Sequence, residues 1–297
     1  MAIAAAGLVA CGEVKGESTI DAPTSAGATC TDGKKNGSET DVDCGGPECG
    51  PCAAAKGCSG APDCESGVCT NQACQVAACT DGVRNSDQLD VDCAGHCGAR
   101  SCSAGQTCSA PADCESNVCT SNACVAAKRV FVSSTIYSGG QIGNAAGGDT
   151  KCQSLAQAAG LTGTYKAWLS TTAADATTRL THATIPYILV DGTQVAASFT
   201  DLTDGTLANP INKTEAGGVP PASEAICDAN TDWVHTGTRE DGTLYDPNAT
   251  CTNFTVDTGG GGFGRFGVVS GSWTLQCGGG APVNYCGKRA HIYCFEQ

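Results

Sequence analysis

Cysteine is the residue whose number and spacing carry the most chemistry in this sequence. The 297-residue chain has 23 cysteines: Cys11, eight in residues 30–74, eight in residues 79–124 and six in residues 152–294. Each of the three later groups is even, which is typical of disulfides formed in an oxidising compartment. We therefore expect an exported protein in which Cys11 alone stands outside the disulfide framework.

A short apolar stretch precedes this solitary cysteine. The sequence Leu8-Val9-Ala10-Cys11 resembles the lipobox of bacterial lipoprotein signal peptides, in which the cysteine after the cleavage site carries lipid. We expect a signal peptide at residues 1–10 and a flexible tether, rich in Gly, Ser, Thr and Ala, at residues 11–29. The lipid on Cys11 would then be the protein's only contact with the membrane, and would hold it at the bacterial outer membrane or cell surface.

Acidic side chains early in the first cysteine-rich segment are candidates for a calcium site. Calcium takes six to eight oxygen ligands from flexible acidic loops, and such ligands are offered by Asp32, Asn36, Glu39, Asp41 and Asp43. Their spacing is not that of an EF-hand loop, so a solvated acidic turn is the alternative. Calcium is the one cofactor that the sequence suggests.

The two cysteine-rich segments repeat each other at a period of about fifty residues. CTDGKKNGSETDVDC begins at Cys30 and CTDGVRNSDQLDVDC at Cys79, and the second halves match more closely still. We assign the repeats to residues 30–78 and 79–127. They resemble repeats of secreted cysteine-rich proteins from myxobacteria and their relatives. Because they contain few large apolar residues, disulfides must offset the chain entropy lost on folding.

The composition changes at Lys128, where cysteines thin out and apolar alternation begins. We predict a domain at residues 128–297 with strands at 129–137 and 289–295. A helix is expected between an Asp149 N-cap and Gly160, because apolar residues recur there at helical spacing. The dipeptide Asp191-Gly192 predicts a hairpin turn.

Five phrases of this domain, in order, carry a resemblance to a known family. They are CQSLAQAAGLTGTYKAWLS at 152–170, VHTGTREDGT at 234–243, CTNF at 251–254, SWT at 272–274 and CGKRAHIYCFE at 286–296. Together they resemble a bacterial lipoprotein domain of unknown function related to endostatin and the C-type lectin-like fold. The resemblance implies an α+β fold with one or two helices and a mixed antiparallel sheet, preceded by two small disulfide-rich repeats.

The resemblance also implies how the six later cysteines pair. An endostatin-like arrangement implies three disulfides: Cys152 with Cys294, Cys251 with Cys286 and Cys227 with Cys277. A lectin-like arrangement instead pairs Cys277 with Cys286 and Cys227 with Cys251. The residues that bind calcium and sugar in such lectins have no counterpart in SGSWTLQC at 270–277, so that chemistry is not implied here.

Residues 201–270 are rich in Gly, Thr, Asn and Asp and form a long loop region, which in a compact domain is usually functional. We expect the ligand to bind there, at Trp233 and the carboxylates Asp232, Asp241 and Asp246. The expected partner is an extracellular glycan or protein. The net charge of −14, with no basic cluster, excludes nucleic acid as a partner.

We expect a non-catalytic binding or adhesion protein. The four histidines are isolated and no metalloprotease or serine-hydrolase motif occurs. Two alternatives remain open. One is a structural envelope component, and the other is a hydrolase that uses loop carboxylates as acid and base, with these candidates: Asp232, Glu240, Asp241 and Asp246.

Overall fold

A computed structural model describes residues 30–98, 101–279 and 284–297. The predicted signal peptide, the tether and the lipidated Cys11 lie outside these residues. The described residues form two compact units, divided between Ser86 and Asp87. Within the described ranges, no helix has both the length and the apolar character needed to cross a membrane.

The first unit is held together by disulfides. They join Cys30–Cys49, Cys44–Cys52, Cys58–Cys69 and Cys64–Cys74. Its described residues form a 3-10 helix at Ala61–Asp63 and two short antiparallel strands, β1 (Cys69–Thr70) and β2 (Ala73–Cys74). The buried apolar cluster here consists of cysteines. Disulfides therefore supply the stabilisation that an apolar core supplies in larger domains.

The second unit begins with the same scaffold. Disulfides join Cys93–Cys102, Cys108–Cys119 and Cys114–Cys124, and Cys97 is disulfide-bonded as well. The 3-10 helix at Pro111–Asp113 and the antiparallel strands β3 (Cys119–Thr120) and β4 (Ala123–Cys124) correspond to elements of the first unit, and a further 3-10 helix spans Gly95–Cys97. The repeat predicted from the sequence is therefore also a repeat in structure.

A matched pair of carboxylates shapes the same turn in both repeats. Asp63 accepts the backbone N–H of Ser59 at 2.7 Å, and Asp113 accepts that of Ser109 at 2.9 Å. The hydrogen bond from the Ser59 backbone is the largest cause that lowers the pKa of Asp63, to about 2. Both acidic residues thus have a structural task in the turn that they cap.

The rest of the second unit is built around a mixed sheet of eight strands in the described residues. The strands are β5 (Lys128–Val132), β6 (Tyr165–Ala167), β7 (Tyr187–Ile188), β8 (Gln194–Ala196), β9 (Trp233–His235), β10 (Gly262–Arg265), β11 (Cys277–Gly278) and β12 (His291–Glu296). Their order in the sheet is β11-β10-β9-β12-β5-β7-β8, and β6 also pairs with β12. The last strand, β12, is the hub of the sheet, because it pairs antiparallel with β5 and β6 and parallel with β9.

Alternation along β12 places its side chains in two of the core clusters. Ile292 and Cys294 belong to one cluster, and Tyr293 and Phe295 belong to the other. Successive side chains of a strand point to opposite faces, so one strand contributes to both. The fold is therefore a mixed α/β arrangement with few helices, as the α+β prediction expects at that level.

The helices are α1 (Gly139–Ile142), α2 (Ala145–Ala158), α3 (Ala176–Arg179), α4 (Phe199–Leu202) and α5 (Cys251–Phe254), with a 3-10 turn at Gly271–Trp273. The predicted N-cap of α2 is wrong. Asn144 caps this helix by accepting the Gly147 N–H at 3.0 Å. Asp149 lies inside the helix, where its carboxylate forms an ion pair with Arg179 at 2.6 Å.

Both predicted strands form with changed bounds, and β12 spans His291–Glu296 where residues 289–295 were predicted. β5 ends at Val132, and Tyr137 returns to the sheet only through an isolated bridge with Ala290. The hairpin of β7 and β8 forms as predicted. Its turn needs glycine, because Gly192 has a φ of +88° and a Cβ there would lie 2.7 Å from the Asn117 carbonyl oxygen.

Candidate functional site

Three disulfides join distant parts of the C-terminal domain. Cys152 on α2 is bonded to Cys294 on β12, 142 residues later. The other two disulfides are Cys251–Cys286 and Cys227–Cys277. These are the pairs implied by the endostatin-like arrangement. The lectin-like pairs do not form.

The chain from 203 to 232, here called the long segment, connects α4 to β9 without a helix or strand. Its backbone is nevertheless fixed by buried side chains. Glu215 accepts the Ser134 N–H at 3.0 Å, and the His291 Nε2 lies 2.8 Å from the Pro221 carbonyl oxygen. Length alone therefore does not make this segment loose.

The proposed ligand contact at Trp233 is wrong, because its side chain is fully buried. It packs with Phe263 and Ala290, and its Nε1–H donates to the Asn230 carbonyl at 2.8 Å. Trp168 and Trp273 are equally buried. Sugar rings stack on exposed aromatic faces, and none of the three tryptophans offers one.

The loop carboxylates are engaged in local structure. Asp232 forms an ion pair with Arg265 at 2.8 Å. Asp241 accepts the Thr243 N–H at 2.9 Å and Asp246 accepts the Asn248 N–H at 2.8 Å, each closing its own turn. The structure therefore assigns these residues to turns and an ion pair, and does not bring them together as a common ligand site.

The acid–base interpretation of these carboxylates finds no geometric support. Partial burial acts to raise the pKa of Asp241, but hydrogen bonds from the Thr243 hydroxyl and backbone outweigh it and lower that pKa. A general acid at neutral pH needs a raised pKa. Glu240 is exposed, and no group of three acidic, histidine or cysteine ligand atoms found in the described residues includes any of the four candidates.

Four of the five candidate calcium ligands are also committed to the backbone. No three of the acidic ones form a group of converging ligand atoms in the described part of the chain. Asn36 donates its side-chain N–H to Asp32 at 2.8 Å. The geometry is that of solvated acidic turns, closed by these acceptances of backbone N–H groups: Asp32 from Lys34, Glu39 from Asn36, Asp41 from Gly57 and Asp43 from Gly33.

Sequence reasoning missed a left-handed turn at α5. Cys251, Thr252, Asn253 and Phe254 have φ values of +52°, +51°, +58° and +62°. Left-handed helical conformation costs roughly 1–2 kcal/mol per non-glycine residue, and no glycine in this phrase announces it. The turn is anchored by the Cys251–Cys286 disulfide and by Asn253, whose Oδ1 accepts the N–H of Thr172 at 2.9 Å.

A cavity lies inside the second unit, between its cysteine-rich repeat and the C-terminal domain. This junction cleft has a volume of about 750 Å³ and is lined on the repeat side by Ala104, Glu115 and Ser116, and on the domain side by Arg129, Leu161 and Glu296. Sequence reasoning missed it, because its charged residues come from segments far apart in the chain. The fifty-residue repeat is the one sequence signal for this cleft, because positions that line it have counterparts in the first repeat.

Comparison with protein-family models finds no match for this chain, and a search of curated proteins finds none either. The interpretation of function therefore rests on the residues and geometry described above.

Proposed function

We propose that this protein is a non-catalytic surface binding module of a bacterium, held at the membrane by lipid on Cys11. The C-terminal domain, with a C-type lectin-like or endostatin-like fold, binds an extracellular glycan or protein. The cysteine-rich repeats act as a disulfide-held spacer. The density of disulfides supports export to an oxidising compartment.

The observation that carries the proposal is the bond between Cys152 and Cys294. It fixes α2 to the hub strand of the sheet, so the segments that connect the strands project from a rigid frame. A preorganised surface loses less conformational entropy on binding than a flexible one. This arrangement favours recognition by loops on a scaffold.

The long segment is the surface that this frame presents. His291 and Glu215 hold its backbone from inside, while Val219 is 82% exposed. Among the loop carboxylates considered for acid–base chemistry, Asp241 and Asp246 each close a turn and Asp232 pairs with Arg265. Binding without turnover is the function that accounts for both features.

Binding is tested with the full-length protein on arrays of extracellular glycans and matrix proteins. The variant Val219→Asp places a charge on the long segment and should reduce binding at least tenfold. Val76→Asp is the matched control, because Val76 is 70% exposed in the first repeat, and it should bind like the wild type. Absence of binding to every ligand class would favour the structural alternative, and released hydrolysis products would favour the enzyme.

The anchor is tested separately by the substitution Cys11→Ser. Detergent phase partitioning of cells that express the wild type should recover the protein in the detergent phase. The variant should move to the aqueous phase. A variant that stays in the detergent phase would show that attachment does not depend on this cysteine.

A further inference from the structure

The junction cleft has a smaller counterpart in the first unit. A groove of about 310 Å³ is lined by Ala54, Glu65, Ser66, Val76 and Ala77. Their counterparts fifty positions later, Ala104, Glu115, Ser116, Ala126 and Ala127, line the junction cleft. The repeat thus builds the same concave surface twice, from the same positions.

The two surfaces differ in their opposite walls. The remaining lining residues of the groove in the first unit are Gln75 and Ser86. The junction cleft is closed by the C-terminal domain through Arg129, Leu161 and Glu296, and it is more than twice as large. Both volumes fall in the range of about 300–1,000 Å³ that is usual for ligand sites. The wall that the C-terminal domain adds therefore accompanies a more than twofold larger cavity and brings two further charged side chains to it.

Three charged side chains line this cleft, and each has hydrogen-bond donor or acceptor positions that are not used within the protein. Arg129 donates from Nη2 to the Glu115 carbonyl oxygen and takes part in no ion pair among the described residues. Glu115 accepts the Ser103 hydroxyl at 3.2 Å, and Glu296 accepts the Arg129 backbone N–H at 2.9 Å. A guanidinium has five N–H donors and a carboxylate about four acceptor positions, so each group can bond a further partner.

The mixture of donors and acceptors indicates the chemistry of the ligand. Two carboxylates and one guanidinium give the wall a net charge of −1, and the whole chain carries −14, so an acidic ligand is repelled. A cationic ligand would leave the donors of Arg129 unmatched. Vicinal hydroxyls both donate and accept, and therefore satisfy both kinds of group.

We infer that the junction cleft is a binding site for a neutral, hydroxyl-rich extracellular glycan, with Glu115, Glu296 and Arg129 as the groups that contact its hydroxyls. This inference rests on the proposed binding function. It adds a second site, between repeat and domain and away from the long segment, and names the ligand class of that site.

The repeat supplies matched controls for the test. Neutral oligosaccharides from glucans, mannans and galactans, with uronic-acid and amino-sugar counterparts, are titrated into the full-length protein by calorimetry. Glu115→Ala should weaken binding of the neutral ligand at least tenfold, and Ala104→Trp should abolish it by filling the cleft. Glu65→Ala and Ala54→Trp, the same substitutions in the first repeat, should leave affinity within twofold of the wild type.

Several results would overturn the inference. Equal effects of each pair of substitutions, no effect of either, or tighter binding of the charged counterparts would each do so. If the protein binds a protein ligand and no neutral glycan, the inference fails while the proposed function stands. If it binds no member of either class, both fail. Thermal melts of all four variants show whether a loss of binding reflects unfolding.

Discussion

His235 lies on β9 with no exposed surface, and its Nε2 is 3.0 Å from the Tyr137 carbonyl oxygen. Burial disfavours the imidazolium form and lowers the pKa of this ring from 6.5 to about 4. Burial also lowers the pKa of His291 on the neighbouring strand β12. Both rings are therefore neutral parts of the folded core at neutral pH.

The lowered pKa values predict a loss of stability in acid. As the pH falls below 6.5, this histidine binds a proton in the unfolded chain, whereas in the folded protein His235 stays neutral until about pH 4. The stabilisation is thus complete above pH 6.5 and falls through that window, by on the order of 3 kcal/mol for this ring. Urea denaturation at pH 7.5, 6, 5 and 4.5 measures the slope.

His235→Gln should flatten this slope, since the amide does not titrate. His182→Gln is the control, because His182 is exposed, and it should keep the wild-type slope. A slope that survives His235→Gln unchanged would contradict the assignment.

A second prediction concerns the hydroxyl groups of two buried tyrosines, Tyr165 and Tyr187. Tyr165→Phe removes a buried hydroxyl without a partner and should leave stability unchanged or raise it by up to about 1 kcal/mol. Tyr187→Phe removes a hydroxyl that donates to the Thr181 carbonyl at 3.1 Å and should cost about 1 kcal/mol. Chemical denaturation of both variants measures the difference. Equal losses would mean that the Tyr165 hydroxyl is satisfied.

Among the elements, the left-handed turn α5 is the one whose conformation opposes its residues. Thr252 is exposed, with a φ of +51° and a ψ of +57°, and β-branching makes that region costly. Thr252→Gly should therefore raise the unfolding free energy by about 1 kcal/mol. Differential scanning calorimetry would register this as a higher melting temperature.

Thr200→Gly provides the comparison. Thr200 is exposed within α4 and is not among the residues of positive φ, so the same substitution there should lower stability by roughly 1 kcal/mol. A decrease at both positions would show that the left-handed turn stores no strain at Thr252.

The elements also show where sequence reasoning succeeds and fails. Alternation located β12, and the spacing of Cys152 and Ala156 gave the phase of α2, because both patterns reflect burial. The sequence does not distinguish an Asp that caps a helix from an Asp that pairs with a distant Arg, and Asp149, which pairs with Arg179, is therefore wrongly predicted as a cap. Trp233 was mistaken for a ligand contact because residue type does not state burial. The left-handed turn has no sequence signal, since it is held by a distant cysteine, Cys286.

At the scale of the whole molecule, the chain combines two kinds of stability. The clusters in the repeats consist mostly of cysteines, whereas the described part of the C-terminal domain has three clusters that contain large aromatic side chains. Reduction removes the cross-links that restrict the unfolded chain. The repeats have no comparable apolar core to compensate.

Graded reduction with dithiothreitol should therefore open the repeats first. Limited proteolysis followed by mass spectrometry should detect cuts in the repeats, residues 30–127, while the sheet of the C-terminal domain is still protected. The oxidised protein under the same protease is the control. Early cuts within β5 or β12, with the repeats intact, would contradict this division of stability.

The hub position of β12 has a consequence for biosynthesis. Every other strand emerges from the ribosome earlier, yet β5, β6 and β9 all take their hydrogen-bonding partner from residues 291–296. Nascent chains that stop before this stretch hold three unmatched edges at once, and pairing over such sequence distances is slow. The domain is thus suited to crossing a membrane unfolded and closing only after its final strand has arrived on the far side.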